Sequence, residues 1–168
     1  MTLILIGFMG VGKSTVAQTL AQGYQLSLCD LDQVIVREHG PIAKIFEQRG
    51  EAGFRQLEYD NLTQCLQRGP DILALGGGII ETPASRQLLQ TQPQVLWLKG
   101  SFELSWQRIS HDTGRPLVDT LTRDGLRQRF ERRQELYAEV ATAQLVLTDP
   151  VPAPADLAAE LHRRFFTG

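Results

Sequence analysis

Residues 7–14, GFMGVGKS, satisfy the pattern G-x-x-x-x-G-K-[ST] at every fixed position. An apolar run at 3–6 precedes them and a helical pattern follows. Glycines let such a loop curl until its backbone N–H groups converge on phosphate oxygens, and the start of the next helix adds partial positive charge. Gly10, Val11, Gly12 and Thr15 then belong to the cradle, Lys13 reaches the β- and γ-phosphates, and the Ser14 hydroxyl helps to hold Mg²⁺. The chemistry is the binding of a nucleoside triphosphate; the loop alone does not say which reaction follows.

Two further groups stand where ligand sites are built, after buried strands. Asp30 and Asp32 sit at the end of the run at 27–30; carboxylates at this spacing can support Mg²⁺ through water and position an acceptor hydroxyl. Gly76, Gly77 and Gly78 follow the run at 72–75. Three successive glycines cost backbone entropy, so they imply either a very tight turn or close approach of the backbone to a ligand, and we favour the second.

The elements that must position these groups alternate short apolar runs with longer helical stretches, the signature of an α/β fold with a mainly parallel sheet. Strands are expected at 3–6, 27–30, 72–75, 95–98 and 144–147, each nearly continuously apolar, as when helices cover both faces. Helices are expected at 13–22, 53–68, from Pro83 behind an N-capping Thr82, from Ser101 to about 110, at 123–139 and at 155–166. Residues 111–122 hold Gly114 and Pro116 without a sustained period and read as an exposed loop; residues 148–154 are Pro-rich. A single domain over 1–168 is the economical reading.

Composition narrows the classes. A net charge of −2 argues against a general nucleic-acid or membrane-surface binder. Apolar residues make up 42% and charged residues 21%, ordinary for a globular protein. Of 17 basic residues only Lys13, Lys44 and Lys99 are lysine; arginine suits forked recognition of carboxylate and phosphate. Cys29 and Cys65 suggest neither a disulfide framework nor a zinc site and are expected to be buried, reduced thiols. His39, His111 and His162 lack metal-ligand spacing and are expected at the surface. With no signal-peptide pattern and no apolar run approaching the ~20 residues of a membrane span, a cytoplasmic location is expected.

Taken jointly, GFMGVGKST (7–15), CDLD (29–32), IFEQRGEAGFRQLE (45–58), LALGGG (73–78), GRPL (114–117) and RRQELYAEVA (132–141) resemble the shikimate kinases, relatives of the nucleoside monophosphate kinases. The resemblance spans most of the chain, with the blocks in the family's order. It implies a three-layer α/β/α P-loop fold with a five-stranded parallel sheet, a substrate-binding region at about 31–60 and a mobile lid at about 111–122. It also implies ATP-dependent phosphorylation of a shikimate hydroxyl with Mg²⁺, on the route to chorismate, by a monomer. Asp32 becomes the residue that contacts shikimate hydroxyls and the candidate base, and Asp30 joins Ser14 at the metal. Arg55 and Arg133 hold the substrate carboxylate, and Gly76, Gly77 and Gly78 give it backbone contact. Arg115 is the lid arginine over the transferred phosphoryl group, and Arg108 stacks on adenine, with 148–154 as a rough match to the adenine loop.

Two other readings stay open. One is another small-molecule kinase of this fold, for gluconate or a nucleoside monophosphate, against which the triple glycine and the paired arginines weigh. The other is a non-catalytic shikimate-kinase-like protein, which should be missing one of Lys13, Asp32, Arg55, Arg115 or Arg133; all five are present.

Overall fold

Five apolar runs become strands in the computed structural model, which describes residues 1–111 and 122–168. They are β1 (Leu3–Ile6), β2 (Leu28–Asp30), β3 (Ile72–Ala74), β4 (Val95–Lys99) and β5 (Ala143–Val146). All pair in parallel, in the order β2–β3–β1–β4–β5. The central strand β1 places Leu5 opposite Ala74 on one side and Leu96 on the other. Every residue of β1 is buried, because helices cover both faces.

The helices are α1 (Lys13–Tyr24), α2 (Leu31–His39), α3 (Ile42–Arg68), α4 (Pro83–Gln90), α5 (Phe102–Ile109), α6 (Arg123–Val140) and α7 (Pro154–Phe165), with a 3-10 turn at Ile79–Glu81. Strand alternation sorts them into two layers. Ile4 and Ile6 point into one apolar cluster with Leu31, Ile35, Leu62, Leu89, Ile109, Leu126 and Tyr137. Leu3 and Leu5 point into the other with Val16, Ala17 and Leu20 of α1 and Leu157, Ala158 and Leu161 of α7. The result is the three-layer α/β/α arrangement with a five-stranded parallel sheet.

The helix α2 and the first half of α3 carry no clear sequence signal, for a physical reason. Only Leu31 and Ile35 of α2 are buried, a single i, i+4 pair rather than a sustained stripe. What starts α2 is its cap: the Asp30 side chain accepts a hydrogen bond from the Gln33 N–H at 3.3 Å. The helix α3 reaches back to Ile42 across a kink at Gly50, whose φ of 70° an L side chain rarely adopts. The expected loop at 111–122 lies, apart from its two end residues, outside the described residues, and with it Arg115.

Two expectations change. His162 is not simply a surface residue: it is half-buried and stacked on Tyr24 with ring centroids 3.7 Å apart. Cys65 is buried but Cys29 is only partly so, and the fold brings the two thiols together. No helix among the described residues is long and apolar enough to cross a membrane.

Candidate functional site

The phosphate-loop segment joins β1 to α1 at the carboxyl edge of the sheet, where open α/β sheets bind ligands. Gly10 and Gly12 have φ of 77° and 102°, the left-handed backbone that turns their N–H groups toward the loop's interior. Gly12 caps α1, so the helix dipole points into the loop. The Lys13 ammonium is buried and donates to the carbonyls of Gly7 at 2.5 Å and Phe8 at 3.1 Å. These bonds hold the cation within the loop.

Behind the loop the Ser14 hydroxyl donates to Asp30 Oδ2 at 2.8 Å. Asp30 ends β2 and caps α2, so a strand end and a helix start both fix its carboxylate. A serine hydroxyl beside a carboxylate is a set of hard oxygen donors suited to Mg²⁺, which takes few protein ligands and completes its shell with phosphate and water. No cluster of three or more metal-ligating His, Cys, Asp or Glu side chains occurs among the described residues. Asp32 sits in the first turn of α2, its carboxylate against Gly76.

The triple glycine is a place of close approach. A Cβ on Gly76 would lie 2.8 Å from Asp32 Oδ1, one on Gly77 2.9 Å from the Met9 backbone nitrogen, and one on Gly78 2.5 Å from both Nη1 and Nη2 of Arg55. Only glycine lets the aspartate, the phosphate loop and the arginine converge on this turn. Tyr137, fully buried on α6, donates its hydroxyl to the Gly77 carbonyl at 2.6 Å and fixes the turn from below; burial pushes that phenol's pKa above its ordinary range.

Both predicted carboxylate-binding arginines are held by buried or half-buried acids. Arg55 Nη1 donates to Glu58 Oε1 at 2.5 Å, and Glu51 lies 3.5 Å from Nη2. Arg133, 1% exposed, donates from Nε to Glu81 Oε1 at 2.9 Å and lies over the Phe8 ring. Its neighbour Arg132 also reaches Glu81, at 2.6 Å, but is 61% exposed. Arg55 Nε and Arg133 Nη1 are buried without a hydrogen-bond partner among the described residues. Burial raises the pKa of Glu81, yet the bonds from Arg133 and Arg132 outweigh this and bring it below the ordinary carboxylate value.

A cleft of about 380 Å³ joins part of this set: Gly10 to Thr15, Asp30, Asp32, Gly76, Gly77 and Arg108, with Val151, Pro152 and Pro154 from the Pro-rich segment on the far side. Arg108 donates to the Gly10 carbonyl at 3.2 Å across the loop. Arg55, Gly78 and Arg133 do not line this cleft; Arg55 lies against Gly78, the residue after Gly77.

Sequence reasoning missed Glu58, Glu81 and Arg129 as parts of the site. Arg129 lies one turn before Arg133, so residues 129, 133 and 137 share one face of α6. Its Nη1 is buried without a partner among the described residues, and burial and the charge of Arg133 lower its pKa. The i, i+4 spacing was legible; the burial that sets Arg129 and Arg133 apart from Arg123, Arg127 and Arg132 was not.

An all-parallel sheet carrying this loop at its carboxyl edge places the chain in the class of P-loop kinases. The model of the family described as "Shikimate kinase" matches residues 9–164. A shikimate kinase of Lactococcus lactis is 42% identical over 155 residues, covering 90% of this chain and 91% of that one. A solved shikimate kinase from Acinetobacter baumannii in complex with shikimate superposes with a TM-score of 0.90 at 34% identity, covering 98% and 92% of the two chains. A gluconokinase from Sinorhizobium meliloti, at 18% identity and a TM-score of 0.62 over 98% and 93%, shares the fold alone. The chain belongs to the shikimate kinase family.

Glu58 offers a test of the buried arginine pair. It is 1% exposed, and burial raises its pKa to about 7 against the pull of Arg55, with Asp32 adding a further push upward. In the folded protein Glu58 therefore binds a proton over a range where the unfolded chain has released it, so its contribution to stability falls as pH rises from about 4.5 to about 7. In denaturant titrations across this window, Glu58→Gln should gain stability relative to the parent as pH rises; a constant difference would show that Glu58 does not titrate there.

Proposed function

We propose that the chain transfers the γ-phosphoryl group of ATP to the 3-hydroxyl of shikimate, giving shikimate 3-phosphate and ADP. The observation that carries this reading is the pair Arg55, partly buried, and Arg133, buried, with N–H groups that have no hydrogen-bond partner among the described residues, near a triple-glycine turn that packs on the phosphate loop. A fork of charge-assisted bonds to a carboxylate satisfies such groups. A gluconate or nucleotide acceptor gives no comparable reason for them.

In this mechanism the substrate acid sits between Arg55 and Arg133, with Gly76, Gly77 and Gly78 giving backbone contact. Asp32, lying against Gly76, orients the attacking hydroxyl and accepts its proton. The phosphate loop from Gly10 to Thr15 holds the triphosphate in line, and Lys13 turns to the transferred group. Phosphoryl transfer depends mainly on such positioning and charge stabilisation. Ser14 and Asp30 would hold Mg²⁺, which when bound neutralises phosphate charge. Arg108 and the segment of Val151, Pro152 and Pro154 would take the adenine. Arg115 closes over the phosphoryl group in this reading, which rests on the GRPL motif, as does the lid at 111–122. Arg129 adds a third positive charge behind Arg133 and favours an acidic substrate. A single domain acting as a cytoplasmic monomer completes the proposal; the large apolar residues exposed among those described, Met1, Tyr24, Val36 and Val146, include none adjacent in sequence.

ADP release with shikimate, gluconate or AMP as acceptor tests the reading: shikimate alone should support turnover, and preference for gluconate would overturn it. Asp32→Asn should lower kcat by about 100-fold or more while ATP binding changes little; full activity would remove Asp32 from the mechanism. Arg129→Gln should raise the KM for shikimate about 3- to 10-fold, with the KM for ATP and kcat nearly constant. An equal rise in both KM values would mean that Arg129 serves the fold rather than the acid.

A further inference from the structure

Cys29 and Cys65 are 36 positions apart in sequence, yet their sulfurs lie 2.7 Å from one another. Cys29 is the middle residue of β2 and Cys65 lies in the last turn of α3, so the contact ties the sheet's edge strand to the helix that carries Arg55 and Glu58. Neither thiol takes part in the kinase chemistry above. We propose that this pair is an oxidation site: a peroxide converts it to an intramolecular disulfide that staples β2 to α3.

The geometry asks for little movement. A disulfide bond is about 2.05 Å long, so the sulfurs need approach by only about 0.6 Å. The two sites also differ in character. Cys29 is partly exposed, whereas Cys65 is buried. Either sulfur can attack first, with the other closing the bond.

Cys65 is only 1% exposed, which admits a water-sized oxidant better than a protein disulfide. One thiolate of the pair attacks one oxygen of hydrogen peroxide, the O–O bond breaks, and hydroxide leaves, taking a proton to become water. The resulting sulfenic acid is attacked by the other sulfur, which loses its proton as the S–O bond breaks and a second water departs. In sum, two thiols and one peroxide give one disulfide and two waters. The bond closes a loop containing all of α2 and most of α3, restricting the unfolded chain.

Reduced full-length protein treated with hydrogen peroxide and examined by intact mass should lose about 2 Da, two hydrogens, with both thiols closed to alkylation after denaturation and both restored by dithiothreitol. Its Tm should rise by roughly 5–10 °C on oxidation. Cys29→Ser and Cys65→Ser, treated alike, should show neither the mass loss nor the rise. Sulfinic or sulfonic acid on either cysteine of the unaltered chain, a disulfide-linked dimer, or two thiols still open to alkylation would each overturn the proposal.

Discussion

A guanidinium buried beside a triple-glycine turn is the constraint on which the rest of this molecule depends. Arg133 is almost wholly enclosed, and burying a charge is costly unless it is paired. Glu81 pairs its Nε, the Phe8 ring covers its face, and Nη1 has no partner among the described residues. Arg55 repeats the arrangement with Glu58. Each acid holds its arginine in place without using up all its donors. In the proposed reading a substrate carboxylate collects the donors that remain.

The fold is arranged around that pair and the phosphate loop. Gly77 packs on Met9 of the loop, Gly78 on Arg55 and Gly76 on Asp32, while Tyr137 fixes the turn through the Gly77 carbonyl. One short turn therefore sets the distance between Arg55 and the phosphate loop. For a reaction whose rate depends on holding two substrates in line, this rigidity is itself a catalytic device. Asp30 plays the matching part behind the phosphate loop, where one carboxylate ends β2, caps α2 and accepts the Ser14 hydroxyl.

How much of this was legible in the sequence follows from the range of each constraint. The phosphate loop is local: its glycines, Lys13 and Ser14 are fixed by eight consecutive positions. Strands buried on both faces are written as unbroken apolar runs, so β1 and the start of β4 were placed to the residue. Edge strands were less certain: β5 begins one residue before the expected position and alternates partly buried with exposed residues. The helix α2 stayed hidden because only Leu31 and Ile35 face the core. Glu81 meets Arg133 from 52 positions away, and Cys29 meets Cys65 from 36; no local pattern announces either contact. Arg133 and Arg132 are alike as letters, and only the helix face separates the buried one from the exposed one.

The central claim is that Arg55 and Arg133 recognise the acid's charge. Calorimetric titration of the protein with shikimate and with its neutral methyl ester tests it most directly. The account predicts that the ester binds at least about 100-fold more weakly, while ATP binds equally well in parallel titrations. An ester affinity within about twofold of the acid's would contradict it.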